Sequence, residues 1–260
     1  MSLQTDYFLY FAGYWAEIDE PLRACLSDLM TSDVATRRSG WITLFKRSNA
    51  LELALALDLV IQQHAAARMG DRPEIEREYL RTAAIELLRA DPIVGRSRWQ
   101  GHPIPCASHI VALRTFGKVA GADDADLVSA LYAAHPRSTD WESAWVLAAT
   151  AVLRQTAGEQ AKQLIQQLLA LSLQDGVADS VRCEAVLAID VSSDPSVEPV
   201  LHEIFRTTAG DVKVEAVAAL AVRSAVDDDE RRFIRDLLDG AVLSGIVTLR
   251  KADLLSAIGT

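Results

Sequence analysis

Apolar residues recur at intervals of three and four along most of the chain, a spacing that collects them on one side of a helix. Two clear examples are "ALELALALDLVI" (50–61) and "AKQLIQQLLAL" (161–171). A half-buried strand would instead alternate apolar and polar residues, but the sequence has no long alternating run of β-branched residues and no Asn-Gly turn. The pattern therefore predicts an all-α protein.

Two segments repeat the same arrangement of side chains at an offset of 31 residues: "VRCEAVLAI" (181–189) and "VKVEAVAAL" (212–220). After a basic residue, each has a small residue three positions later, then Ala and a large aliphatic residue six and seven positions later. On a helix these positions share one side, where Ala lets a neighbouring helix approach and the aliphatic side chain fills the gap. A turn and a second amphipathic helix follow each segment.

Weaker copies of the arrangement recur upstream, at Arg37, Gly40 and Leu44, at Arg81, Ala84 and Leu88, at Ala112 and Leu113, and at Trp145, Ala148 and Ala149. The unit is a helix, a short turn and a second helix, of roughly 31–44 residues. A lone unit of this size cannot enclose its apolar side, so we expect neighbouring units to stack and share a core.

This unit resembles the HEAT-type helical repeat, most strongly over 106–239 and more thinly over 22–90. The resemblance implies a right-handed α-solenoid of about five or six HEAT-like hairpins in one domain over 1–260. The residues that carry it are Val181, Arg182, Ala185, Ala188, Ile189, Asp194 and Pro195, together with Val212, Lys213, Ala216, Ala219 and Leu220.

Both ends of the chain suit caps of such an array. Residues 1–21 hold six closely spaced aromatic residues, which either cover the open end of the core or form a partner or dimer surface. Residues 241–260 are expected to cap the opposite end. The six aromatic residues are Tyr7, Phe8, Tyr10, Phe11, Tyr14 and Trp15.

The net charge of −10 is unevenly distributed. Residues 1–120 carry 14 basic and 14 acidic residues, so the remaining 12 basic and 22 acidic residues place the whole excess in 121–260. An acidic surface repels phosphate backbones and attracts basic proteins, and it also favours solubility. No run suits a bilayer-spanning helix, and three widely separated cysteines predict a reducing, cytoplasmic location.

The stretch "GRSRWQGHPIPC" (95–106), within an inserted loop at 91–105, interrupts the helical pattern. Three interpretations remain open. His102, Cys106 and His109 offer a weak set of metal ligands, which lacks a fourth. Arg96, Arg98 and Trp99 offer anchors for a carboxylate or a nucleic acid. In the third interpretation the loop folds back, and Trp99 fills the core.

The sequence has no dinucleotide, P-loop, zinc-protease or nucleophile-elbow motif, so we expect no catalytic residue and no cofactor. The leading interpretation is a non-enzymatic module that binds a basic partner protein on its second-helix surface, with Asp227, Asp228 and Asp229 contributing charge. A bacterial regulatory adaptor or an immunity-type inhibitor of a basic toxin fits this description. The alternative is an enzyme similar to HEAT-like DNA glycosylases, centred on Arg96, Arg98, Trp99, Trp141 and Trp145.

Overall fold

Helices dominate the part of the chain that the structure, a computed structural model, describes: residues 10–66, 74–96, 103–133, 138–240 and 245–259. The all-α class is therefore confirmed. Contacts between residues divide the chain into two compact units, Met1–Ala120 and Gly121–Thr260. The division coincides with the charge distribution, because the first unit is neutral and the second carries the whole excess of −10. The predicted single domain stays a prediction.

The described residues of the N-terminal unit form five α-helices: α1 (Glu20–Leu29), α2 (Val34–Arg47), α3 (Ala50–Ala66), α4 (Glu74–Arg89) and α5 (Ala107–Val119). α3 is central and packs against the other four, because its residues 53–61 are apolar on nearly every side and all are buried. No described helix, α3 included, has both the length and the apolar character to cross a membrane.

The N-terminal aromatic segment is fixed to this unit by a buried carboxylate. Asp58 of α3 accepts hydrogen bonds from the backbone N–H groups of Tyr10 and Phe11, at 2.8 and 3.1 Å. Arginine guanidinium groups lie over three rings of the segment: Arg114 over Tyr10, Arg96 over Tyr14 and Arg23 over Trp15. These rings therefore contact their own chain, whereas the predicted cap residues Tyr7 and Phe8 lie outside the described residues.

The inserted loop begins and ends in a two-stranded antiparallel ribbon, β1 (Gly95–Arg96) and β2 (Pro103–Ile104). A side chain at Gly95 would meet the Cβ of Ala107 and the carbonyl oxygen of Tyr10, both at 2.6 Å. The glycine is needed because the ribbon lies directly against α5 and the N-terminal segment. The connecting residues 97–102 lie outside the described part of the chain.

In the C-terminal unit, the part of the chain that the structure describes forms eight α-helices: α6 (Ala125–Leu131), α7 (Thr139–Leu153), α8 (Glu159–Leu173), α9 (Asp179–Asp190), α10 (Val197–Thr207), α11 (Gly210–Val222), α12 (Asp228–Asp239) and α13 (Gly245–Ile258). They form two rows. In row A, α7, α9, α11 and α13 pack side by side. In row B, α6, α8 and α10 pack side by side, and α12 contacts α10 through the rings of Phe233 and Phe205, which lie 5.4 Å apart.

The two clearest sequence repeats, 181–189 and 212–220, occupy α9 and α11 and so take neighbouring places in row A. Their alanines at the predicted contact positions, among them Ala185 and Ala216, are fully buried. In the sequence unit the repeat segment is the first helix of a hairpin. In the structure α9 packs more extensively on the preceding α8 than on the following α10, so the repeat segment is the second helix of its hairpin. Row A therefore supplies the second helix of the hairpins α8–α9 and α10–α11.

Candidate functional site

Of the predicted recognition residues in the inserted loop, Arg96 is described, and its charge is used within the chain. Its guanidinium group pairs with the carboxylate of Glu17 at 3.0 Å and lies 4.5 Å from the centre of the Tyr14 ring. Arg98 and Trp99 lie outside the described residues. Arg96 is therefore engaged within the chain and is not a free cationic anchor.

Two of the three weak metal candidates, Cys106 and His109, are buried in the N-terminal unit, and His102 lies outside the described residues. The His109 Nε2 atom is 3.0 Å from the carbonyl oxygen of Ala90, a contact that ties the start of α5 to the end of α4. Burial raises the pKa of the Cys106 thiol, which disfavours the thiolate that a metal would need. Both side chains therefore serve packing in this structure.

The predicted aromatic anchors Trp141 and Trp145 are core residues of the C-terminal unit, with almost no exposed surface. The Trp145 indole N–H donates to the carbonyl oxygen of Val128 at 2.8 Å, and its ring lies 4.8 Å from that of Tyr132. A side chain enclosed in this way has no surface for a ligand. The glycosylase-like alternative gains no support from these two residues.

The three predicted acidic contacts at the start of α12 have different roles. Asp227 is the N-cap, and its carboxylate accepts the backbone N–H of Glu230 at 2.9 Å while Glu230 returns the bond to the N–H of Asp227 at 2.8 Å. The sequence suggests pairs four residues apart, Asp227–Arg231 and Asp228–Arg232. Instead Asp228 pairs with Arg231 and Asp229 with Arg232, because capping turns Asp227 away from Arg231.

Asp227 and Glu230 also form, with His202, a trio whose ligand atoms lie within 4.8 Å of one another. The fully buried Glu230 carboxylate is already engaged by the His202 Nδ1 atom at 2.6 Å and by the backbone of Asp227. The Arg206 guanidinium lies 3.5 Å from Asp227, and the positive end of the α12 dipole also opposes a cation. The trio therefore fits a buried helix cap better than a metal centre.

Replacing Asp227 with Ala is expected to lower the free energy of unfolding by about 1 kcal/mol at neutral pH, because α12 loses its N-cap. The hydrogen bond from the Glu230 N–H, aided by the nearby His202 and Arg206, holds the pKa of Asp227 below its usual value. The contribution is therefore complete above about pH 4 and disappears as the pH falls through the lowered pKa. Denaturant unfolding of both proteins across this pH range measures it.

The control for this change is Asp229→Ala, since Asp229 is exposed and makes only a surface pair with Arg232. We expect that replacement to change the free energy of unfolding by less than about 0.5 kcal/mol. Equal losses in both variants, or a loss in Asp227→Ala that persists at strongly acidic pH, would show that the cap does not operate as described.

Row A carries a different kind of surface. Among the described residues of the C-terminal unit, all the exposed large apolar side chains belong to row A: Leu147, Leu187, Val222 and Leu249. The outward positions of α8 and α10 in row B are polar by contrast, for example Gln163, Gln166, Glu198 and Glu203. Apolar exposure confined to one row distinguishes that row as a candidate contact surface.

A hydrogen bond between α7 and α9 relates the positions of two of these side chains. The Ser143 hydroxyl of α7 donates to the Glu184 carboxylate of α9 at 2.8 Å. Leu147 lies one helical turn beyond Ser143, and Leu187 lies one turn beyond Glu184, so we infer that the two leucines lie on the same side of row A. Leu147 is 47% and Leu187 37% exposed, which leaves a half-open apolar patch between α7 and α9.

Acidic residues lie at one edge of row A, about two helical turns before the two leucines. Asp140, Asp179 and Asp211 stand in the first turns of α7, α9 and α11. The pKa of the Cys183 thiol of α9 is raised to about 12. Burial is the largest cause, and the neighbouring carboxylates of Glu215, Asp211 and Asp179 add to it. We call the surface formed by Leu147, Leu187, Val222, Glu184 and the three first-turn aspartates the row A face.

The sequence analysis did not identify the row A face. Its apolar residues lie on helices that are apolar on nearly all sides, so periodicity alone does not separate the outward leucines from the inward ones. Glu184 and Glu215 recur at the repeat offset of 31 residues, but this signal does not mark an outward side either. Glu184 is half-buried beside Ser143, and Glu215 is buried against Arg250 of α13.

Comparisons with known proteins supply no identity for the chain. No protein-family model, no curated protein and no solved structure matches it. Its function therefore has to be inferred from its own residues and their geometry.

Proposed function

We propose that the chain is a non-enzymatic, HEAT-like repeat protein that binds a basic partner protein through the row A face. The side-by-side packing of α7, α9, α11 and α13 and the equivalent places of the two best repeats support stacked hairpins of this kind. The right-handed solenoid of about five or six hairpins is part of the same proposal.

Polar contacts between successive helices of row A also support a stacked array. After the Ser143–Glu184 hydrogen bond between α7 and α9, the Arg223 side chain of α11 pairs with Asp190 of α9 at 2.8 Å. Arg250 of α13 then pairs with Glu215 of α11 at 2.9 Å. One such contact at each step fixes the register of a helix on its predecessor, as nearest-neighbour stacking requires.

The observation that carries the binding proposal is that, among the described residues of the C-terminal unit, the exposed large apolar side chains all lie in row A. Apolar side chains surrounded by charge are typical of the contact surfaces of proteins that bind other proteins. The sequence predicts binding on the helices that follow the repeat segments, α10 and α12. We instead place the surface on row A, which carries the repeat segments themselves.

The charge of the unit argues for a basic partner. An excess of ten negative charges attracts lysine- and arginine-rich surfaces at long range and repels nucleic-acid backbones. Asp140 and Asp211 are exposed at the edge of the row A face, and Asp179 is only partly neutralised by Arg182. A partner helix with an apolar stripe and flanking lysines would match both the leucines and the aspartates.

The test uses the full chain and a synthetic amphipathic helix of leucine and lysine as the probe. Replacing Leu147 and Leu187 together with Ser is expected to weaken binding about tenfold or more, because contacts at the centre of an interface each contribute about 1 kcal/mol or more. The affinity of the unaltered chain should fall as salt rises. Titration calorimetry at two ionic strengths measures both effects.

The matched control replaces Gln163 and Gln166 of α8 with Ser, two exposed residues on row B. Its affinity should stay within about twofold of the unaltered chain, and a helix of leucine and glutamate should not bind either protein. The proposal fails if the leucine and glutamine variants lose affinity equally, or if neither loses any.

A further inference from the structure

Helices α12 and α13 border an open groove of about 520 Å³, lined by Arg235, Leu238, Asp239, Lys251, Leu255 and Ile258. Three of these residues, Leu238, Leu255 and Ile258, are half-buried and give the groove an apolar floor. The volume lies in the range of small-molecule sites, which combine mostly apolar walls with a few polar groups that orient the ligand. The groove is separate from the row A face.

The charges at its rim are unusual for this unit. Arg235 and Lys251 are exposed, and neither forms an ion pair with any described residue. The other arginines of the same two helices, Arg231, Arg232 and Arg250, each pair with an acidic residue. In a unit with 22 acidic and 12 basic residues, the two cations that line the groove are therefore left available to an external anion.

We propose that the groove binds a small anionic amphiphile, a molecule of the fatty-acid class with an apolar body and a single carboxylate. The apolar body packs on Leu238, Leu255 and Ile258, and the carboxylate pairs with Arg235 and Lys251. Asp239 at the rim and the acidic surface of the unit disfavour a doubly charged phosphate or a polyanion. This site is independent of the partner surface proposed above.

The experiment titrates the full chain with decanoate, below the concentration at which decanoate self-associates, and follows binding by calorimetry. Replacing Arg235 and Lys251 together with Gln is expected to weaken binding about tenfold, since two charge pairs to the carboxylate are lost. Decanamide, which has the same alkyl chain without the charge, should bind the unaltered chain about tenfold more weakly. Decyl phosphate should also bind more weakly than decanoate.

The control replaces Arg231 and Arg232 with Gln, which also removes two positive charges from the unit, but at positions of α12 that do not line the groove. Decanoate affinity should then stay within about twofold of the unaltered chain. Circular dichroism of both double variants establishes that they remain folded, as expected for four exposed side chains. The proposal is overturned if decanoate does not bind, if both double variants lose affinity equally, or if decanamide binds as tightly as decanoate.

Discussion

Replacing Trp145 with Ala is expected to lower the free energy of unfolding of the C-terminal unit by about 3–5 kcal/mol. The indole ring is fully buried, contacts the ring of Tyr132 and donates its N–H to the carbonyl oxygen of Val128. Truncation to Ala removes most of this apolar contact and leaves a cavity beside α7. The carbonyl oxygen of Val128 also loses the indole N–H donor. Denaturant unfolding followed by circular dichroism measures the loss.

Leu147, two residues further along α7, provides the matched control. Because its side chain is about half exposed, Leu147→Ala should cost less than about 1 kcal/mol in folding while removing part of the row A face. Trp145→Phe keeps most of the ring volume and should lie between the two. If Trp145→Ala leaves stability unchanged and instead abolishes binding of the leucine–lysine helix, then Trp145 is an exposed anchor and the described core is wrong.

Replacing Asp58 with Ala is expected to destabilise the N-terminal unit by about 2–5 kcal/mol. The carboxylate is buried in α3, and its removal leaves the backbone N–H groups of Tyr10 and Phe11 without their acceptor. A buried donor left unsatisfied costs about 1–3 kcal/mol. The amide protons of Tyr10 and Phe11 should also exchange with solvent much faster, which hydrogen exchange followed by mass spectrometry measures.

Asp58→Asn is the control for this prediction. Both N–H groups donate to the same oxygen of Asp58, Oδ2, so the Asn amide oxygen can accept both bonds while the volume is kept. Its loss of stability should be smaller than that of Asp58→Ala. Retained protection of both amides in Asp58→Ala would show that other contacts, such as the Arg114 guanidinium over the Tyr10 ring, suffice to hold the segment.

Helix content and the best internal repeat could be predicted from the sequence because both depend on residues close together in the chain. The segments 181–189 and 212–220 are helices that take neighbouring places in one row, and their small residues are buried as predicted. The uneven distribution of charge could also be predicted from the sequence. The change from a neutral to an acidic part of the chain coincides with the boundary between the two compact units.

The candidate site was less predictable, because exposure and charge pairing depend on distant neighbours. Tryptophans such as Trp141 and Trp145 are common both in protein cores and on binding surfaces. Only the packing of α7 shows that these two are core residues. The sequence alone suggests that Arg96 is a free cation. In the structure its guanidinium group contacts Glu17 and Tyr14, which lie about eighty positions earlier in the chain. In the sequence Asp227 is equivalent to Asp228 and Asp229. The structure distinguishes it as the residue that caps α12.

The sequence by itself determined that this chain forms helices with repeated small and aliphatic contact positions, and that its second half is acidic. Only the tertiary structure decided which sides of those helices stay open. The physical reason is that periodicity tells which residues share a side of one helix, whereas exposure is set by the helices packed on every other side. For helices such as α7 and α11, apolar almost all round, the neighbours alone separate a core residue from an outward one such as Leu147.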